Sequence, residues 1–108
     1  MSIDVENNNG VCRVVVKDEM TIYTAAAMKT DLMDQLTRCD ELEISLQDVS
    51  EMDSAGLQLM LLLKSEEQKL KKELRFVKHS QAVIDVLEIL DLVAHFGDPI
   101  VLPAGEAQ

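Results

Sequence analysis

A short apolar run, Leu42 to Leu46, stands shortly ahead of a long helical pattern that extends from Leu57 to about Leu70. A strand that feeds directly into an amphipathic helix severely limits the fold. If another strand follows, the two strands run parallel and the helix crosses over between them in the right-handed sense. Another strand does follow, at Leu74 to Lys78. The same step precedes the apolar run. Val11 to Val16 is rich in β-branched residues, and Ala25, Met28, Leu32 and Leu36 then fall on one helical face with Thr24 as a candidate cap. A third helix is expected after Ser80, where Val83, Val86, Leu87 and Leu90 recur at helical spacing.

The chain's start departs from this rhythm. Ile3 and Val5 alternate with polar neighbours, and Asn9-Gly10 then precedes the Val11 strand. Asn-Gly suits the type I′ turn of a two-residue hairpin, in which both central residues need positive φ. The first two strands are therefore expected to be antiparallel. Residues 17–24 read as a connector with turn character. Gly97-Asp98-Pro99 punctuates the end, Ile100–Leu102 is a candidate last strand, and the tail from 103 to 108 reads as frayed. The expected fold is α/β. It has a mixed, mostly parallel sheet of four to five strands, an N-terminal β-hairpin and three main helices. With 108 residues this is one domain, its core spanning about residues 3–102.

Composition narrows the function. The core must be aliphatic, because the chain has one Tyr, two Phe and no Trp. A net charge of −10 argues against binding nucleic acid by neutralising phosphates, and against an anionic membrane surface. Basic or neutral protein surfaces are the better partners. No apolar run approaches the ~20 residues a membrane span needs. The polar first ten residues do not have the pattern of a secretory signal. Cys12 and Cys39 show neither CxxC nor metal-ligand spacing, and are expected to be two free, buried thiols in a reducing cytosol.

The segment Asp48-Val49-Ser50-Glu51-Met52-Asp53-Ser54 is expected to be the turn at the C-terminal end of the central strand, where open α/β sheets place their working loops. Ser54 then has two readings. It can cap the second helix. Alternatively Asp53 caps, and Ser54 is the first helical residue with its hydroxyl outward. A phosphate there would sit at the positive end of the helix dipole and add about −1.5 to −2 charges. Gly56 would leave the backbone open to close approach by another protein. Within the helix, Leu59, Leu62, Leu63 and Leu70 make one face, with Leu57 and Leu61 well round the cylinder. The helix is either packed between sheet and neighbour or partly exposed at its N-terminal half as a docking patch.

The segment Met52-Asp53-Ser54-Ala55-Gly56-Leu57-Gln58-Leu59 is similar to the D-S-x-G-L turn of the STAS family, the anti-sigma-factor-antagonist domain. Leu42-Glu43-Ile44-Ser45-Leu46-Gln47-Asp48-Val49 resembles its central strand and following loop. Thr21-Ile22-Tyr23-Thr24-Ala25-Ala26 and Phe96-Gly97-Asp98-Pro99 look like the subgroup often encoded beside chemotaxis and two-component genes. The resemblance covers about residues 10 to 102. It implies a bacterial, cytoplasmic, non-enzymatic switch without cofactor or metal, acting in signal transduction or transcription control. A serine kinase of the anti-sigma type would bind the unphosphorylated form and phosphorylate Ser54, and a phosphatase would reset it. By position, Asp48, Asp53, Ser54 and Gly56 carry over, and the docking surface would comprise Asp48, Asp53, Ser54, Ala55, Gly56, Leu57 and Gln58. A homo-oligomer stays open. Where the family often has Gly-Glu-Leu after its second strand, this chain has Asp18-Glu19-Met20. Some relatives instead serve as constitutive subunits, for example of lipid-transport ATPase complexes.

Two other classes compete. A phosphoaspartate receiver would hold Mg²⁺ through acids at strand ends, here Asp18, Asp48 and Asp53 with Lys17 and Lys78 nearby. A hydrolase or redox enzyme would need a base for Ser54. His79, read as a surface loop residue, and His95, read as partly buried, lie in no nucleophile motif, and no Gly-rich phosphate loop is present.

Overall fold

A computed structural model describes residues 3–89. The chain runs β1 (Ile3–Asn8), β2 (Val11–Met20), α1 (Ala25–Arg38), β3 (Glu41–Met52), α2 (Ser54–Leu70), β4 (Glu73–Val77) and α3 (Gln81–Ile89). The four strands form one sheet in the order β1-β2-β3-β4. β1 is antiparallel to β2, while β2–β3 and β3–β4 are parallel. This is the expected hairpin followed by crossovers. Leu90, His95, the Phe96–Pro99 motif, the candidate strand at Ile100–Leu102 and the tail lie outside the described residues.

The hairpin turns where Asn9-Gly10 predicts. Asn9 has φ 54° and Gly10 φ 83°, the two positive values of a type I′ turn. The Gly10 carbonyl accepts from the Asp40 and Glu41 amides at 2.9 and 3.2 Å, which ties the hairpin to the start of β3.

Two strands run further than expected. β2 includes residues 17–20, read from sequence as connector, and β3 continues to Met52 through most of the expected turn. Register explains both. Lys17 pairs with Asp48 and Glu19 with Glu51, and the pairing slips between Val15 and Lys17 and again between Asp18 and Glu19. Each slip adds one residue to β3, a bulge that re-aims the side chains after it. The buried positions of β3 then fall at Leu46, Val49 and the half-buried Met52, three apart instead of two. A period-two search cannot see such a strand. Asp18 takes φ 67°. It thus adopts the left-handed conformation glycine favours, and Asp is among the residues that tolerate it.

Cys12, Val14 and Val16 of β2, Leu42, Ile44 and Leu46 of β3, and Leu74 and Phe76 of β4 are buried with Met28, Leu32 and Leu36 of α1 and with Val83 and Leu87 of α3 in one apolar cluster, aliphatic but for Phe76. Alternate residues carry ion pairs instead, Glu43 meeting both Arg13 and Arg75. α2 contributes Gly56, Leu57, Leu59, Met60 and Leu63. Here the expected face is corrected. Leu57 is core, Leu61 and Leu62 are half-buried, and Leu70 is 39% exposed. The buried residues of α2 end at Leu63, and the rest of the helix is half-buried or exposed. Its charged tail fastens the edge strand: Lys64 Nζ donates to the Leu74 carbonyl at 2.8 Å and Glu67 accepts from the Leu74 amide at 2.8 Å. Ser80 caps α3, its hydroxyl accepting from the Val83 amide at 3.3 Å. Thr24 stands at the cap position of α1 but makes no capping bond.

The cysteine expectation is half corrected. Both are buried, at 0% and 1% exposure, but they are joined as a disulfide, Cα atoms 6.0 Å apart. The missing information was spatial. The hairpin bond to Asp40 draws the end of α1 against the start of β2, and no sequence spacing reports that proximity.

Candidate functional site

The site is the junction of β3 with α2, and it is built from one residue outward. Asp53 is the N-cap of α2. Its Oδ1 accepts from the Ala55 amide at 2.9 Å and from the Gly56 amide at 3.3 Å. Two of the donors that every helix start leaves unpaired are thereby satisfied. Ser54 follows as the first helical residue, its side chain exposed. Of the two sequence readings, the geometry supports Asp53 as cap and leaves the Ser54 hydroxyl to solvent.

The second carboxylate oxygen of Asp53 reaches another element. Oδ2 accepts from the Ile22 amide at 3.0 Å, and the Asp53 amide donates to the Met20 carbonyl at 3.3 Å. The Ile22 amide foremost, with the Ala55 and Gly56 amides, holds the Asp53 carboxyl below the usual carboxylate range. Gly56 completes the junction. A Cβ at this position would lie 2.3 Å from the Met20 carbonyl oxygen. The glycine thus admits its own chain's β2, which corrects the expectation that it opens the backbone to a partner.

The β2–α1 turn is fixed from within. The Thr24 hydroxyl accepts from the Thr21 amide at 3.0 Å and lies 2.8 Å from the Glu19 carbonyl as donor, while the Thr21 hydroxyl donates to Glu19 Oε1 at 2.7 Å. Ile22 and Tyr23 project from this turn at 71% and 89% exposure. Beside it, Ala25, Ala26 and Lys29 of α1 and Ala55, Gln58, Leu59 and Leu62 of α2 line a shallow groove of about 230 Å³.

The expected site residues divide accordingly. Asp53, Ser54, Ala55 and Gln58 gather at the junction with their side chains exposed or half-buried. Gly56 and Leu57 are buried, so Leu57, at 6% exposure, is corrected from docking residue to core residue. Asp48 sits in β3 opposite Lys17, one bulge before the strand's end, and shapes no turn. Sequence reasoning did not place Ile22, Tyr23 and Lys29 at this junction. The signal was present, since two large apolar residues in a turn-forming stretch need a reason. His79, read as a surface residue, is buried at 5% exposure. Among the described residues no three His, Cys, Asp or Glu form a group that could hold a metal ion, and no helix is long and apolar enough to cross a membrane.

The family profile described as "Mlab, STAS domain" matches residues 3–101. No curated protein sequence matches. Solved structures share the fold. A Thermotoga maritima protein described as an anti-sigma factor antagonist superposes with a TM-score of 0.78 at 17% identity, over 94% of this chain and 87% of that one. An anti-sigma factor antagonist from Mycobacterium paratuberculosis gives 0.74 at 24% identity, over 95% and 88%. The anti-sigma factor antagonist SpoIIAA in its unphosphorylated form gives 0.72 at 14% identity, over 93% and 88%. The phosphorylated form of the Bacillus SpoIIAA gives 0.69 at 13% identity, over 93% and 91%. At these identities the likeness is one of fold.

Proposed function

Because the chain belongs to the STAS-domain family, we propose that it works by binding, as a switch of the anti-sigma-factor-antagonist kind, with Ser54 as its phosphoacceptor. The unphosphorylated face docks a serine-kinase-type anti-sigma factor and frees that protein's client. Phosphate on Ser54 ends the binding, and a phosphatase restores it. The observation that carries this reading is the division of labour at the start of α2. Asp53 does the capping, so the Ser54 hydroxyl is exposed and spared for chemistry. A phosphate on it meets the positive end of the helix, so the fold tolerates the modification. The added charge lies beside Asp53 and next in sequence to Ala55, which lines the α1–α2 groove, and it repels or blocks a close-fitting partner. That SpoIIAA has been solved in both phosphorylated and unphosphorylated forms supports the view that this fold carries phosphate without changing class.

The docking face comprises Ser54, Ala55 and Gln58 of α2, the Ile22–Tyr23 turn, and the groove with Lys29 at its edge. The protein itself catalyses nothing and needs no cofactor. Its work is cytoplasmic, where a kinase partner finds ATP, and the buried disulfide is shielded there from bulk reductant.

The test compares Ser54→Ala and Ser54→Asp against the anti-sigma-type serine kinases of the source organism by titration calorimetry. Ser54→Ala should bind one of them, and Ser54→Asp should bind it at least tenfold more weakly. Equal affinities would remove the switch and leave a constitutive subunit of a larger complex.

A further inference from the structure

Asp53 makes one more bond than a helix cap needs. Oδ1 alone serves the Ala55 and Gly56 amides, and Oδ2 is turned away from the helix to the Ile22 amide 31 positions earlier in the chain. Ile22 belongs to the turn that holds Ile22 and Tyr23 out into solvent. The hydroxyl bonds of Thr21 and Thr24 fix the shape of that turn and lead back only to Glu19 and to the turn itself. Where the turn sits relative to Ser54 is a separate matter. That relation rests on the pairing of Met20 with Met52 at the ends of β2 and β3, on the Asp53 backbone bond to Met20 and, for the turn itself, on the Asp53 carboxylate bond to Ile22.

We propose that Asp53 is a positioning residue. Its carboxylate locks the Ile22–Tyr23 turn to the start of α2, so that the apolar pair and the Ser54 hydroxyl present one rigid face instead of two independent ones. The consequence for recognition rests on the binding switch described above: a partner that grips Tyr23 finds Ser54 in register with it. Aromatic side chains are favoured anchors at protein interfaces because they offer much area for few rotatable bonds. An anchor that is already held loses less freedom when it docks. The lock itself is a property of the isolated protein and can be tested without any partner.

One substitution separates the lock from the cap. Asn caps helices as well as Asp does, and in Asp53→Asn the amide oxygen can keep the Ala55 and Gly56 bonds. The side-chain NH₂ then faces the Ile22 N–H, donor against donor, and the lock is lost. Two readouts follow it. Amide hydrogen exchange by NMR reports Ile22, Ala55 and Gly56 individually. Fluorescence anisotropy reports Tyr23, the chain's one tyrosine, with no tryptophan to interfere. In Asp53→Asn the Ile22 amide should exchange at least tenfold faster and Tyr23 anisotropy should fall, while Ala55 and Gly56 exchange within about twofold of wild type and the domain still unfolds in one cooperative transition. Unchanged Ile22 exchange in a variant with an intact cap would overturn the proposal. So would equal acceleration of Ile22, Ala55 and Gly56, which is the mark of a cap alone. Neither result depends on whether Ser54 is ever phosphorylated.

Discussion

Replacing Gly56 with alanine probes the junction on which the site depends. The new Cβ would stand 2.3 Å from the Met20 carbonyl oxygen, 2.9 Å from the Met20 Cβ and 3.1 Å from its carbonyl carbon. Non-bonded carbon contacts settle near 3.5–4.0 Å, so the nearest atom must retreat by about 1 Å. That atom is main chain. It cannot rotate away as a side-chain tip can, and it also accepts the Asp53 amide bond. Overpacking of this kind costs about 1–3 kcal/mol, and a backbone obstacle places this case at the upper end, about 3 kcal/mol. Against it stands the helix preference for Ala over Gly, about 1 kcal/mol. The net loss is about 2 kcal/mol, a fall in melting temperature of roughly 10 °C for a domain of this size. Thermal denaturation followed by circular dichroism measures it, with Ala55→Gly as the reference. That neighbour loses the helix preference without meeting a wall, so it should fall by about 1 kcal/mol at most. The reasoning is refuted if Gly56→Ala melts at or above wild type, because the close approach of β2 to α2 would then not exist.

Two further outcomes follow from the same structure. Reducing the Cys12–Cys39 bridge reopens a loop spanning 27 residues. The chain-entropy relation assigns that constraint about 3–4 kcal/mol, so the urea midpoint should drop under strong reductant in wild type and not in a Cys12→Ala/Cys39→Ala variant. The Asp53 carboxyl is held below its ordinary value of 3.8 by the Ile22, Ala55 and Gly56 amides. Its contribution to stability is therefore fully present above that value and is lost as pH falls through the lower, folded one. Between pH 5 and pH 2 wild type should lose stability more steeply than Asp53→Asn, and parallel curves would show that the carboxylate bonds add nothing.

Much of this fold could be read from the residues, and the places where reading failed share a cause. Asn9-Gly10, the apolar stripe of α1 and the Ser80 cap are local signals, each decided within a few residues, and each lies where the chain announces it. The ends of β2 and β3 are not local. Two bulges convert the inward period of β3 from two to three, so Leu46, Val49 and Met52 look like turn residues until their partners in β2 are known. The first turn of α2 misled for the reverse reason. Gly56 and Leu57 resemble an open, apolar docking edge, but glycine there serves a backbone that arrives from 36 residues earlier, at Met20. The cysteine bridge depends on another long-range closure, the Gly10–Asp40 bond at the opposite end of β2. Of the candidate site, the order Asp53-Ser54 was legible as two alternatives, and only geometry could say which residue caps. Tyr23 was not singled out from the sequence, and only geometry brings its turn against Asp53, the residue before Ser54.

The central claim is that Ser54 is a used switch. Its most direct test is intact-mass analysis and phosphopeptide mapping of the protein isolated from its native cells across growth conditions. The account predicts a single phosphate, on Ser54, present in some conditions and absent in others. A chain that carries no phosphate in any condition would contradict it, and would make the exposed serine an ordinary first residue of a helix that Asp53 already caps.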